Sequence, residues 1–189
     1  SHVRDILLDE AYRRENGRYG FYDKLTNATD EIQTQLGELN GISYQNSISD
    51  LLAAINEVAK APDDNTARAA LVESAISFLD RSQSIYKGLV SYQDSLNTEI
   101  ASITNRINEI GERIQYLNSQ ISVIESGVET AMTLRDERDL LLDELSGYVK
   151  IDYSEDANHV VTVMMEGNFF CDGLSVSHLG LNTIEGTSF

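Results

Sequence analysis

The stretch "LVSYQDSLNTEIASITNRINEIGERIQYLNSQISVI", residues 89–124, carries an aliphatic residue at every seventh position: Leu89, Leu96, Ile103, Ile110, Leu117 and Ile124. A companion row runs beside it. Upstream it consists of Phe78, Ile85 and Tyr92, the last two lying four residues before Leu89 and Leu96. Downstream it consists of Ile100, Ile107, Ile114 and Ile121, each three residues before the next member of the main row. The companion row thus shifts by one position near residue 97, while the main row keeps register. A strict seven-residue repeat marks a helix with an apolar seam that winds left-handedly against a partner. No proline interrupts residues 63–189, so the spacing predicts one helix over 65–126. At 1.5 Å per residue it would run roughly 90 Å, a rod rather than a compact small domain. Gly88 and Gly111 weaken it from within.

Toward the N-terminus the seam meets a corner. Pro62 is the only proline of the chain. It disfavours helical backbone at Ala61, and Asp63, Asp64 and Asn65 behind it are residues that cap a helix and, for the aspartates, complement its dipole. A short helix over 49–60, with Leu51, Leu52, Ile55 and Val58 as its stripe and Ser47 or Ser49 as its cap, is expected to stop there. Residues 37–46, "GELNGISYQN", read as a loop. Before them a helix is expected over 6–36, with Tyr22, Leu25, Ile32 and Leu36 on one face and a kink or break at Gly17 and Gly20. These two helices lie nearest the corner, so Leu89 is expected to be covered more deeply than Ile107. Residues 100–124 then need the following helix or another chain.

Toward the C-terminus Gly127 allows a break. "AMTLRDERDLLLDELSGYV", 131–149, predicts a further amphipathic helix over 131–146, with Met132, Leu134, Leu141 and Leu145 on one face and Gly147 as the glycine that ends it. The charges at 135–139 read as alternating-sign surface support. The period then falls from 3.6 to 2. Val149, Ile151 and Tyr153 alternate with polar residues, as do Val161, Val163 and Met165, and "EGN", 166–168, supplies a turn. The expected fold is mainly α: an elongated antiparallel helical bundle with a long rod-like helix over 1–147, followed at 148–189 by the start of a small β domain that the chain's end truncates.

Totals narrow the function. The chain has 189 residues, with 14 Lys and Arg against 31 Asp and Glu, a net charge of −17. A phosphate backbone is held by Lys and Arg, and anionic membrane surfaces select the same residues, so neither nucleic acid nor a membrane is expected as a partner. No apolar run reaches the roughly 20 residues that span a bilayer. No cleavable secretory leader is visible at the N-terminus. Candidate chemistry is sparse. His2, His159 and His178 share no ligand spacing, with His159 placed at the opening of a strand. Cys171, alternating with Phe169 along a strand, reads as a small core hydrophobe. Asp152, Ser154 and Asp156 imitate the front half of an EF-hand loop, but Ala157 and Val163 stand where the sharp-turn glycine and the bidentate glutamate belong. No catalytic, cofactor-binding or metal-ligating residue is assigned, no cofactor is expected and no enzymatic activity is expected. The residues singled out are structural: the corner Pro62, Asp63, Asp64 and Arg68, and the seam Leu89, Leu96, Ile103, Ile107, Ile110, Leu117 and Ile124.

The order of these parts resembles one family. "APDDNTARAALVESA" (61–75), "ITNRINEIGERIQYLNSQI" (103–121) with its Ile-Asn and Leu-Asn pairs, and "LRDERDLLLDELSGYVKI" (134–151) are similar to segments of the bacterial flagellar hook-associated protein 1, or hook–filament junction, family. "VRDILLDEAYRRENGRYGFY" (3–22) and "VTVMMEGNFFCDG" (161–173) resemble further segments of it, so the likeness covers about residues 3–173. Cys171, and Met132-Thr133 where the family has Asn-Asp, depart from its pattern; the second leaves the cap of the 131–146 helix open. The resemblance implies an extracellular structural subunit of the flagellum, exported without a cleaved signal peptide. It implies hook protein and a further hook-associated protein as partners, and a ring of copies when full length. It also implies that the terminal helices lining the family's inner tube are to be expected outside residues 1–189. In this reading Pro62 turns the short helix back on the rod to make a stiff unit that transmits torque. The alternative is a coiled-coil adaptor or secretion-apparatus tip protein unrelated to flagella, which leaves the appended strands without a reason.

Overall fold

The computed structural model describes residues 2–37, 44–127 and 129–182, with side chains from Leu8 onward. In chain order the elements are α1 (His2–Leu36), α2 (Tyr44–Lys60), α3 (Asn65–Glu125), α4 (Met132–Tyr148), β1 (Ile151–Glu155), β2 (Val161–Met165) and β3 (Asn168–Cys171). The chain divides into two compact units, Ser1–Lys24 with Thr98–Phe189, and Leu25–Asn97. The division at residue 97 is where the companion row changes phase.

In the 25–97 unit, α2 is followed directly by α3. Tyr44 stacks on Phe78 with ring centroids 5.7 Å apart, which sets the two helices antiparallel. α2 starts earlier than its pattern suggests and takes in residues 44–46 of the expected loop; the rest of that loop, 38–43, lies outside the described residues. Ser47 and Ser49 are therefore inside the helix and cap nothing. Their hydroxyls donate back to the carbonyls of Tyr44 (2.7 Å) and Gln45 (3.0 Å), the usual compromise for serine within a helix. Ile85 is the one buried hydrophobic among this unit's described residues. Leu25 and Ile32 of the α1 stripe, and Leu52 and Ile55 of the α2 stripe, are exposed.

The other unit holds the core. Ile107, Ile110 and Ile114 of α3 meet Leu142 and Leu145 of α4 and Val161, Val163, Phe170 and Cys171 of the sheet. One step along α3, Leu117 and Ile121 pack with Ala131, flanked by Ile124, Leu134 and Leu141. So α4 and the sheet cover the 107–121 seam within one chain. Leu89 is only half-buried while Ile107 is 3% exposed, the reverse of the expected ranking, because the elements that cover most come later in sequence. Ile107→Ala should cost about 2–5 kcal/mol, transfer plus cavity, and Leu89→Ala distinctly less. Urea unfolding of the two variants checks the order.

The sheet is antiparallel in the order β1-β2-β3. Its second hairpin turns on Glu166-Gly167, both with positive φ (50° and 79°), and pairs Met165 with Asn168. That is the two-residue loop whose twist suits a hairpin. A bulge follows: Val163 pairs with Cys171 but Met164 with Phe169, leaving Phe170 as the extra residue. The expected alternation of Phe169 with Cys171 therefore fails. Phe169 is exposed, and Phe170 and Cys171 are both fully buried. A bulge re-aims side chains in this way. Burial pushes the Cys171 thiol up to about 12.

Glycines in the helices serve close approach rather than breaks. α1 is continuous through Gly17 and Gly20, where a Cβ would fall 2.9 Å from the Ser146 carbonyl oxygen and 2.6 Å from that of Gly147. Gly147 does not end α4, which runs to Tyr148 with Val149 extended behind it. A Cβ on Gly111 would lie 2.7 Å from Phe170 Cζ and 2.9 Å from Val176 Cγ1. Gly111→Ala should thus destabilise by about 1–3 kcal/mol through overpacking, although alanine is the better helix former. A thermal melt at unchanged helicity is the check.

Candidate functional site

What the residues build is an interlock on α3. Two asparagines of α3, ten residues apart, behave as peptide groups that pair with backbone elsewhere. Asn118 Nδ2 donates to the Val161 carbonyl (2.7 Å) and its Oδ1 accepts from Val161 N (3.0 Å). Asn108 does the same for Leu179, at 3.0 and 2.8 Å. Each pair joins the helix to the C-terminal segment and satisfies backbone groups that burial would otherwise strand. These are the Ile-Asn and Leu-Asn positions of the sequence. Gln115 adds a bond to the Leu174 carbonyl (2.7 Å), and His178 Nε2 meets Glu112 at 2.8 Å on the surface.

Arg138 completes the interlock. It is 3% exposed, not part of a solvated charge run as its neighbours suggest. Its guanidinium donates to Asn118 Oδ1 (2.9 Å), to the His159 carbonyl (2.7 Å) and to Glu155 (3.0 Å), tying α4 to α3 and to β1. The signal was available: Arg138 stands four residues after Leu134 and three or four before Leu141 and Leu142, on the apolar face. Met132, assigned to that face, is exposed instead. Other pairs reach between elements as well. Arg106 clasps Glu144 at 2.7 and 2.8 Å, Arg113 clasps Glu137 at 2.6 and 3.0 Å, and Arg13 bonds Asp143 at 2.7 Å.

The open cap of α4 is filled from α3. Ala131 offers no side-chain cap, but Glu125 accepts from Ala131 N (2.9 Å) and from Arg135. The Arg135 guanidinium, and after it that backbone N–H, hold the Glu125 carboxyl at about 2. A depressed carboxyl gives stability that is complete above its unfolded value, about 4.5, and that disappears as pH falls toward about 2. The wild-type melting temperature should therefore drop more steeply over that window than that of Glu125→Gln. Parallel pH profiles would contradict this. Asp156 of the EF-hand-like stretch caps its own turn, accepting from Asn158 N (2.8 Å) and Val160 N (2.9 Å). His159 does not open a strand: it sits in that turn with φ 64°, before β2 begins.

The corner residues do come together. Asp64 Oδ1 accepts from Thr66 N (2.8 Å), Arg68 Nε donates to the Pro62 carbonyl (2.6 Å), and Asp63 lies 3.6 Å from Arg68. Along the seam Ile107, Ile110 and Leu117 are buried, while Leu89, Leu96, Ile103 and Ile124 are half-buried. Ile100 of the companion row is exposed.

Comparison with known proteins bears on the same residues. The family described as the flagellar hook-associated protein FlgK helical domain matches residues 29–188. The chain belongs to this family. Flagellar hook-associated protein 1 of Bacillus subtilis (strain 168) is 24% identical over 184 residues, 96% of this chain and 36% of the relative. The chain thus spans about a third of the length of that relative. The family assignment takes in the Pro62 corner, α3, α4 and the sheet together, and makes the interlock part of its helical domain. Among the described residues no helix is long and apolar enough to cross a membrane.

Proposed function

We propose that this chain is the helical part of a structural subunit of the bacterial flagellum that joins hook to filament outside the cell. The observation that carries the reading is the family match across residues 29–188. The geometry supports it: the charged groups that could have suggested acid–base work are engaged in holding elements together. Instead of a helical domain over 1–147 and the opening of a β domain at 148–189, the small sheet acts as part of the helical domain, whose family match runs through residue 188. The Pro62–Arg68 corner and the α3 seam stiffen the helical domain so that it transmits torque. Hook protein and a further hook-associated protein are its neighbours, with copies arranged as a ring in the longer protein. Catalysis has no place in this role.

Immunogold electron microscopy with antibodies raised against this chain tests the role in the organism that makes it. A single labelled band where hook meets filament is expected, together with bare hooks and shed flagellin after in-frame deletion of residues 65–148. Label confined to the cytoplasm, or normal filaments after the deletion, would overturn the proposal.

A further inference from the structure

Burial is divided very unequally between the two compact units. Of the thirteen buried hydrophobic residues among the described ones, twelve lie in the unit of Ser1–Lys24 with Thr98–Phe189, and one, Ile85, lies in Leu25–Asn97. α2 buries none of its residues. Leu52, Ile55, Val72, Ile76, Leu79 and Tyr86 remain 45–62% exposed in the fold. Folding therefore removes little of their apolar surface from water, and that removal is what offsets the entropy of ordering the chain. The ion pairs Lys60–Glu57 (2.6 Å) and Arg68–Asp63 (3.6 Å) are local and exposed, and such pairs contribute little. The other unit has its aliphatic core and, within it, the buried bonds of Asn118 and Arg138.

α3 runs unbroken from one unit into the other. Between Ile85 and Ile107 none of its side chains is buried: Leu89, Leu96 and Ile103 are half-buried and Ile100 is exposed. That leaves roughly 30 Å of helix with little packing to hold it, and packing of an apolar face supplies most of a helix's stability. The same stretch is weak in itself. Ser95 turns its hydroxyl back onto the Ser91 carbonyl (3.0 Å), which costs a helix some stability, and Asn97 and Thr98 are poor helix formers. The companion row steps from Tyr92 to Ile100, eight residues instead of seven, so the seam changes phase here. We propose that the Leu25–Asn97 unit is an order–disorder element. It unfolds as one cooperative piece while the other unit stays folded, and α3 melts back only to the turns before Ile107, where Ile103 packs against the core. Such an element lets part of a molecule order or melt while the rest keeps its shape. This inference stands on burial along the chain and does not depend on the flagellar role.

The test is native-state hydrogen exchange of the 189-residue chain in a series of low urea concentrations, read peptide by peptide by mass spectrometry. Amides of 44–97 should share one urea-dependent opening, and they should exchange at least about a hundredfold faster than those of 107–121. Ile85→Ala should speed exchange throughout 65–97 by at least about tenfold and leave 107–121 unchanged. Ile107→Ala should do the converse, speeding 107–121 and leaving 65–97 as it was. If Ile85→Ala unfolds its unit outright, helical ellipticity should fall in part while 107–121 stays protected; loss of all protection would overturn the proposal. It is also overturned if 44–97 exchanges as slowly as 107–121, if peptides within 44–97 open independently of one another, or if Ile85→Ala speeds both regions alike.

Discussion

Phe170→Ala is expected to destabilise the chain by about 3–5 kcal/mol, the range for removing a fully buried aromatic ring. Phe170 is entirely buried although it follows an exposed neighbour on a short strand. The bulge opposite Val163 and Met164 turns it onto α3, where Gly111 leaves room for its ring edge. The loss should be larger than for Phe169→Ala next to it, and Leu174→Ala, at 88% exposure, should change little. Urea unfolding of the three variants measures the ranking. A larger loss for Phe169→Ala than for Phe170→Ala would mean that simple alternation, which sets Phe169 with Cys171, governs the strand and not the bulge.

Arg138→Ala carries the second large effect, about 3 kcal/mol. The substitution removes the donor shared by Asn118 Oδ1, the His159 carbonyl and Glu155. Leaving buried acceptors unpaired costs more than the bonds themselves contribute, and Glu155, a third exposed, recovers some loss from water. Arg138→Met keeps much of the side-chain packing and should cost less. Arg113→Ala, which breaks an exposed pair with Glu137, should barely move the unfolding midpoint, since such pairs contribute little in water. If Arg113 and Arg138 proved equivalent, the charge run would be solvated surface after all.

The contrast between these two arginines shows where the sequence was legible. Periodicity located α3 to within a residue at its C-terminus, found the Pro62 corner, and separated the strands from the helices, because each signal is local and repeats. It placed Arg138 with its charged neighbours because residue type was weighed above position, although the helical period sets it among leucines. Phe170 was out of reach: a bulge depends on pairing with a strand whose register no local pattern gives. The glycines misled for a related reason. Helix propensity counts Gly17, Gly20 and Gly111 only as a local cost, whereas each answers to an atom on a distant segment. Proximity in sequence ranks Leu89 above Ile107, but the elements that cover Ile107 lie after it. The interlock of Asn108 and Asn118 was visible only as a repeated Ile-Asn and Leu-Asn, a resemblance without a mechanism until the backbone of Val161 and Leu179 came into place.

That α4 and the sheet close the seam of α3 within one chain is most directly tested by native-state hydrogen exchange on dilute, monomeric protein. Amides of residues 107–121 and of β2 should exchange most slowly, with protection independent of protein concentration. Fast exchange there in the monomer, slowing only as copies associate, would show that the seam is closed by a neighbour and would contradict the account.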